Sequence, residues 1–199
     1  MLFDVDRDTL LEVFPEAQVI RASRDALDGI EVRAEDLDFL CEVGIPQGLF
    51  QICPPIAADG GLQRSRMLDL GDEDDAVPFV DLDGVGPVVL LGGIQYWYVF
   101  LCVADGVIHS FAEDGDEYYP INGDLSALCR MLHLLEREHP RTHRTPGVPY
   151  TGPSHEEYRR AAELIRAEIE PRDPTAYADG SLWPHYFDSF TDGLYPKYT

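Results

Sequence analysis

The sequence predicts an α+β fold in which helices pack around a mainly antiparallel β-sheet. Its 199 residues are 45% hydrophobic and 11% aromatic, which is enough apolar material for one core, or for a core with an appendage. Apolar residues recur with helical spacing in both flanks of the chain, whereas the middle is rich in β-branched and aromatic residues. The pair Asp105-Gly106 lies between two β-rich runs and indicates a hairpin, so these strands should pair antiparallel.

The first clear element is an amphipathic helix over residues 34–43. Leu37, Leu40 and Cys41 recur at i, i+3 and i+4, which places them on one face of the helix. Gly44 follows directly and predicts the end of the helix. The helix should therefore bury this face against another apolar surface.

The middle of the chain predicts a β-meander. Strands are expected over residues 77–82 and 88–94, followed by a long aromatic strand over 96–104 and a last strand over 107–111. Asp105-Gly106 joins the last two strands and favours a two-residue type I′ turn, because both central residues of that turn need a positive φ.

Three helices are predicted after the sheet, each with a recognisable start. Asp124 caps the first of them, which runs through residue 138 with leucines on one face. Ser154 and Glu157 form a capping box at the start of the second. The third begins at Ser181 and ends before Gly193. Its core-facing residues are Trp183, Phe187 and Phe190.

The chain is strongly acidic, with 37 Asp and Glu against 15 Lys and Arg and a net charge of −22. Residues 67–129 contain 13 of these acids and no Lys or Arg. Such a charge repels phosphates, which disfavours nucleic acid and anionic membranes as partners. We expect a protein partner with a basic surface; the competing interpretation is that the acidic clusters are solvated loops that keep the protein soluble.

The termini and cysteines indicate a cytoplasmic protein. The N-terminal segment has three Asp within its first eight residues and lacks the basic region and apolar stretch of a secretory signal. The longest apolar run is interrupted by Gly92, Gly93 and Gln95, which is not typical of a membrane span. The four cysteines form no CxxC pair, which favours buried free thiols over a zinc site or a disulfide framework.

The residues assign no catalytic group, no metal site and no cofactor. GxSxG, complete GxGxxG and GxxxxGK[ST] motifs are all missing from the sequence. His133, His139 and His143 are close in sequence, but Pro140 interrupts the helical spacing, so we interpret them as exposed loop histidines. The carboxylates are too numerous for a catalytic pair to be chosen. We therefore do not expect an enzyme.

The candidate partner-binding residues belong to acidic clusters and to an aromatic strand. Tyr96, Trp97 and Tyr98 are consecutive on a strand, so their side chains should alternate and at least one ring should face away from the side that buries Trp97. Either helices cover both faces of the sheet, or a tyrosine lies at the edge of a partner surface, where aromatic residues supply binding energy. The candidate set is Asp72, Glu73, Asp74, Asp75, Asp81, Asp83, Glu113, Asp114, Asp116, Glu117, Tyr96 and Tyr98.

Four segments follow one another in an informative order. They are FLCEVGIP, GGIQYWYVFLCVADGVIHSF, YPINGDLSALCRMLHLLE and DPTAYADGSLWPHYFDSFTDG. With Asn122 shortly before a helix and Trp183 in the last helix, this order resembles the SUKH superfamily, in particular its fourth family of bacterial toxin-immunity proteins. The resemblance runs from about Leu2 to Gly193. It implies a single α+β domain over residues 1–199, with helices around a mainly antiparallel, mixed sheet of about six strands.

The resemblance also implies a function. Proteins of this kind bind and neutralise a cognate polymorphic toxin, often a nuclease or a nucleic-acid deaminase, and it supplies no catalytic residues. A toxin that processes nucleic acid presents a basic groove, which an acidic surface can occupy. The alternative is a non-enzymatic intracellular regulatory or scaffold protein that binds a cellular partner.

Overall fold

The computed structural model describes residues 1–27, 31–48, 79–82, 84–94, 97–112, 118–142, 152–194 and 197–198. It confirms the predicted α+β class. The α-helices are α1 (Arg7–Leu11), α2 (Ala34–Asp38), α3 (Leu125–Glu138), α4 (His155–Ile169) and α5 (Leu182–Thr191). Short 3₁₀ turns span Glu16–Gln18, Arg24–Leu27 and Pro174–Tyr177.

The main sheet has five antiparallel strands in sequential order. They are β3 (Phe79–Leu82), β4 (Gly86–Ile94), β5 (Trp97–Cys102), β6 (Ile108–Ala112) and β7 (Tyr118–Asn122). Two short sheets complete the β-structure of the described residues: β1 (Val19–Ile20) pairs antiparallel with β2 (Ile45–Pro46), and β8 (Arg141–Thr142) pairs parallel with β9 (Lys197–Tyr198). The predicted four-strand meander is therefore confirmed, and β7, which was not predicted, extends it to five strands. The extent of a single domain over residues 1–199 stays a prediction.

The helix predicted over residues 34–43 changes type halfway. After α2 the chain continues as a π-helix, Phe39–Val43, and ends at Gly44, whose φ is +89°. The N–H of Gly44 donates to the carbonyl oxygen of Phe39 at 2.9 Å. The start of α2 is held by Arg33, whose guanidinium binds both carboxylate oxygens of the buried Asp36 at 2.6 and 2.9 Å. A paired carboxylate is one of the few forms in which an Asp is fully buried.

The β5–β6 hairpin is confirmed, but the predicted two-residue turn is wrong. The N–H of Cys102 donates to the carbonyl oxygen of Val107, and the N–H of Gly106 donates to that of Cys102, both at 2.9 Å. Four residues, 103–106, therefore form the loop, and Gly106 has a φ of +77°. The Arg33 guanidinium occupies the space that a Cβ at Gly106 would need. The four-residue loop therefore packs against Arg33, a residue distant in sequence.

Helix α3 is the centre of the main core. Asp124 caps it by accepting the N–H of Ala127 at 2.8 Å, as predicted. Eleven of its 14 residues are buried, so burial extends well beyond the predicted leucine face. A helix that is buried nearly all round lies inside a domain rather than on its surface. Helix α4 packs beside it, starting with the predicted capping box of Ser154 and Glu157.

A hydrogen-bonded network ties α5 to the end of the sheet. Trp183 Nε1 donates to the carbonyl oxygen of Ile121 at 3.1 Å and to Asn122 Oδ1 at 3.0 Å. Asn122 Nδ2 donates to the buried carboxylate of Asp173 at 2.9 Å, which also accepts the N–H of Gly123. Burial raises the pKa of Asp173, and these hydrogen bonds oppose the shift. The network joins Asn122 and Trp183, two residues that carry the sequence resemblance.

The described cysteines agree with the prediction of free thiols. Cys102 and Cys129 are buried, Cys41 is half-buried, and all three are free. Burial raises the pKa of the Cys129 thiol, because desolvation disfavours the thiolate. The fourth cysteine, Cys53, lies outside the described residues.

Candidate partner-binding surface

Three aromatic side chains form a row across the sheet face that is turned away from the main core. Tyr98 in β5 pairs with Phe111 in β6, and Phe111 pairs with Tyr118 in β7. Residues directly opposite each other on neighbouring strands share a face of the sheet. The rings of Phe111 and Tyr118 are stacked with their centroids 4.8 Å apart. We call Tyr98, Phe111 and Tyr118 the aromatic row; all three are half-buried.

The aromatic row rests on a small apolar cluster that is separate from the main core. The centre of this cluster is Val88, Phe100 and Cys102, none more than 2% exposed. Trp97 packs instead against the main core, which confirms that it faces away from Tyr98. The row therefore packs beside a buried apolar cluster on its own face of the sheet, and its three rings stay partly exposed.

Strands β3 to β7 contribute no positive charge to this face. They lie within residues 67–129, which contain no Lys or Arg. His109 is two residues before Phe111 on β6, so it lies on the same face. Burial lowers the pKa of His109, because desolvation disfavours the charged imidazole, and the ring is neutral at pH 7.

The ends of the strands show where two acidic connections leave the sheet. Strand β6 ends at residue 112 and β7 starts at Tyr118, so residues 113–117 connect them at the end that carries the aromatic row. The β3–β4 connection, which contains Asp83, leaves from the opposite end, beside the β5–β6 hairpin loop. Strand β5 has six residues, or about 20 Å at the usual rise. These two acidic connections are therefore attached to opposite ends of the sheet.

Most of the predicted partner-binding residues lie outside the described residues. They are Asp72, Glu73, Asp74, Asp75, Asp83, Tyr96, Glu113, Asp114, Asp116 and Glu117. Asp81 lies in β3, opposite Pro87 of β4. Tyr98 lies in the aromatic row. The assignment of these residues to a partner surface stays a prediction.

Phe111 belongs to the aromatic row but was not among the predicted residues. The signal was present, because strict alternation along VIHSFA places His109 and Phe111 on one face. The predicted two-residue turn would have placed Phe111 opposite Phe100, so only the observed register brings Phe111 beside Tyr98. Tyr119, by contrast, packs against Gly180, where its ring occupies the space of a Cβ, so it lies on the other face.

A second concave feature lies between α4 and α5. It is an open cleft of about 590 Å³ whose lining includes Arg159, Arg166, Tyr177, His185 and Phe187. The rings of Tyr177 and Phe187 are stacked 6.1 Å apart, and the Arg166 guanidinium lies 5.0 Å from the Tyr177 ring centroid. Both arginines pair with glutamates of their own helix. The cleft therefore contains side chains of both charges, unlike the strands of the main sheet, which contain no Lys or Arg.

Two histidines of the predicted loop cluster are buried, which corrects the expectation that they are exposed. His139 is 3% exposed, and its ring contacts Tyr158 and Phe190 edge-on at centroid distances of 5.7 and 5.2 Å. The reason is tertiary: α4 and α5 pack their aromatic residues against the end of α3. His143 lies outside the described residues.

His133 is buried within α3 between charged neighbours. Its Nδ1 lies 3.3 Å from Arg130 Nη1, and its Nε2 lies 3.7 Å from a carboxylate oxygen of Glu12. Burial lowers the pKa of His133, and the positive charges of Arg130 and Arg137 lower it further. The imidazole is therefore neutral in the folded protein at pH 7.

This lowered pKa predicts a pH-dependent stability. The unfolded chain binds a proton near pH 6.5, before folded His133 does, so folding stability should fall as the pH drops below about 6.5. One such proton contributes at most about 1.4 kcal/mol per pH unit. We expect His133→Leu to flatten the slope between about pH 5 and 7.5 in urea unfolding. The exposed His185, changed to Leu, is the control; a His133→Leu slope equal to that of the wild type would contradict the assignment.

Within the described ranges, no group of three or more His, Cys, Asp or Glu side chains is arranged to hold a metal ion. In the same part of the chain, no helix combines the length and apolar character needed to cross a membrane.

Comparison with known proteins identifies one similarity. The family model described as SUKH-4 immunity protein matches residues 5–189, which is nearly the whole chain and includes the described strands of the main sheet. No curated protein and no solved structure matches the chain.

Proposed function

The chain belongs to the SUKH-4 immunity protein family, and on that premise we propose that it binds and neutralises a cognate polymorphic toxin through an acidic surface. The proposed toxin is a nuclease or a nucleic-acid deaminase with a basic surface. The proposed place of action is the cytoplasm, where such a toxin meets its substrate. Nucleic acid and membranes are not proposed as partners, because a net charge of −22 repels phosphates.

The main support for this proposal is the negative charge of residues 67–129, the part of the chain that forms the main sheet. Residues 67–129 hold 13 acids and no Lys or Arg, and they include all five strands of the main sheet. A protein that processes nucleic acid needs cationic side chains along its substrate groove. Complementary charge steers two such proteins together and can raise the association rate constant toward about 10⁸ M⁻¹s⁻¹ at low salt.

The proposed mode of action is stoichiometric binding without chemistry. A bound immunity protein excludes the substrate from the toxin, so one molecule inactivates one molecule. Such binding requires complementary charge for encounter and a few desolvated anchors for affinity. The acidic residues around the sheet supply the complementary charge, and the aromatic row is a candidate for the desolvated anchors.

Co-production with the toxin tests the proposal. The probe is the cognate toxin domain, identified by sequencing the genes on either side of the one that encodes this protein, and it is produced in cells with and without this protein. We expect growth only in its presence, and in solution we expect nucleic-acid cleavage or deamination to fall linearly to zero at an equimolar ratio. A toxin domain of unrelated sequence serves as the control and should stay active. Full toxin activity at a tenfold molar excess would contradict the proposal and favour a regulatory or scaffold role.

A further inference from the structure

The aromatic row has the geometry of a preorganised contact. Its three rings stand on adjacent strands, which are about 4.8 Å apart, so the row spans about 10 Å. Phe100, 1% exposed, lies two residues from Tyr98 on the same face and packs beside the row, and the stacking of Phe111 on Tyr118 restricts both rings. Rings that are already ordered lose little conformational freedom when a partner covers them. Aromatic side chains in such positions commonly dominate the binding energy of an interface.

We propose that Tyr98, Phe111 and Tyr118 form the apolar centre of the toxin interface and determine how long the complex lasts. This inference rests on the proposed function and adds the residues that hold the partner. The acidic residues act earlier, during encounter, because their attraction extends over several ångströms in water. Desolvation of the rings acts only after contact, so it controls dissociation.

A basic protein surface is the occupant that fits the aromatic row and the acidic sequence that adjoins it. Residues 113–117, which directly precede Tyr118, include four acids, and strands β3 to β7 contain no Lys or Arg. Arginine and lysine side chains bind aromatic faces as well as carboxylates. A second copy of this chain would bring an equal net charge of −22 and be repelled. A nucleic acid could stack its bases on the rings, but its phosphates would meet the same repulsion.

The test measures dissociation of the full-length protein from the cognate toxin domain used to test the proposed function. Phe111→Ala and Tyr118→Ala should each raise the dissociation rate constant about tenfold or more, with the association rate constant changed less than about threefold. Tyr118→Phe keeps the ring and should dissociate at nearly the wild-type rate. Leu164→Ala, which truncates a 51% exposed side chain on α4, is the matched control. Thermal unfolding of each variant confirms that it is folded.

Leucine substitutions keep the test decisive if an alanine variant does not fold. Phe111→Leu and Tyr118→Leu preserve apolar volume against Phe100 but remove the ring face, so they should also dissociate faster. Dissociation of these variants at the rate of Leu164→Ala would overturn the role of the aromatic row while leaving the proposed function intact. Failure of the wild-type protein to bind the toxin would overturn the proposed function, and the inference with it.

Discussion

Replacing Trp183 with alanine is expected to lower the free energy of unfolding by about 3–5 kcal/mol, the usual cost of removing a buried large aromatic ring. The Trp183 side chain is fully buried, and its Nε1 is the donor to both Ile121 and Asn122. Its loss creates a cavity and leaves two buried acceptors without their donor. Urea unfolding followed by far-ultraviolet circular dichroism measures the change.

Two control variants separate the ring from its hydrogen bonds. Trp183→Phe keeps much of the apolar ring but removes the donor, so it should cost about 1–3 kcal/mol. Leu164→Ala removes an exposed side chain and should stay within about 0.5 kcal/mol of the wild type. A Trp183→Ala variant that loses less than about 1 kcal/mol would show that the network with Asn122 does not hold α5 to the sheet.

Neutralising Glu113, Asp114, Asp116 and Glu117 together, as Gln or Asn, is expected to slow association with the toxin about tenfold or more at low salt. These four acids join β6 to β7 at the end of the sheet that carries the aromatic row. Their removal should also flatten the dependence of the association rate on salt, because screening then has less attraction to weaken. Stopped-flow mixing over a series of salt concentrations measures both quantities.

A matched variant distinguishes local charge from net charge. Neutralising Glu156, Glu163, Glu170 and Asp188, on α4 and at α5, removes the same number of charges away from the aromatic row. It should change the association rate much less. The same change at Asp72, Glu73, Asp74 and Asp75 tests the other acidic cluster. Equal slowing by all three variants would show that only net charge matters and would contradict a defined acidic surface.

Local signals predicted the helix ends well, because the groups that cap a helix are close in sequence. Ser154 and Glu157 form the predicted capping box, and Asp124 caps α3 through an N–H three residues away. Gly44 ends its helix with a positive φ, as its sequence position suggested. In these places no distant residue is needed to explain the backbone.

Predictions that ignored distant partners were wrong. The two-residue turn at Asp105-Gly106 is a four-residue loop, and Arg33 packs against Gly106. The expected exposure of His139 failed because Tyr158 and Phe190 come from helices that follow much later in the chain. Such contacts leave no periodic or local signal in the sequence. The sequence could therefore predict neither the four-residue loop nor the burial of His139.

The sequence by itself indicated the helix that starts at Ala34, four strands of the meander, the three later helices, the family, and a stretch from 67 to 129 without one Lys or Arg. Periodicity, helix caps and local charge depend on residues that are close in sequence, so these features can be predicted from the sequence. Only the tertiary structure decided that Phe111 joins Tyr98 and Tyr118, and that the acidic connections containing Asp83 and residues 113–117 leave from opposite ends of the sheet. Strand register makes that decision, because hydrogen bonds between separate strands select which side chains share a face and an end.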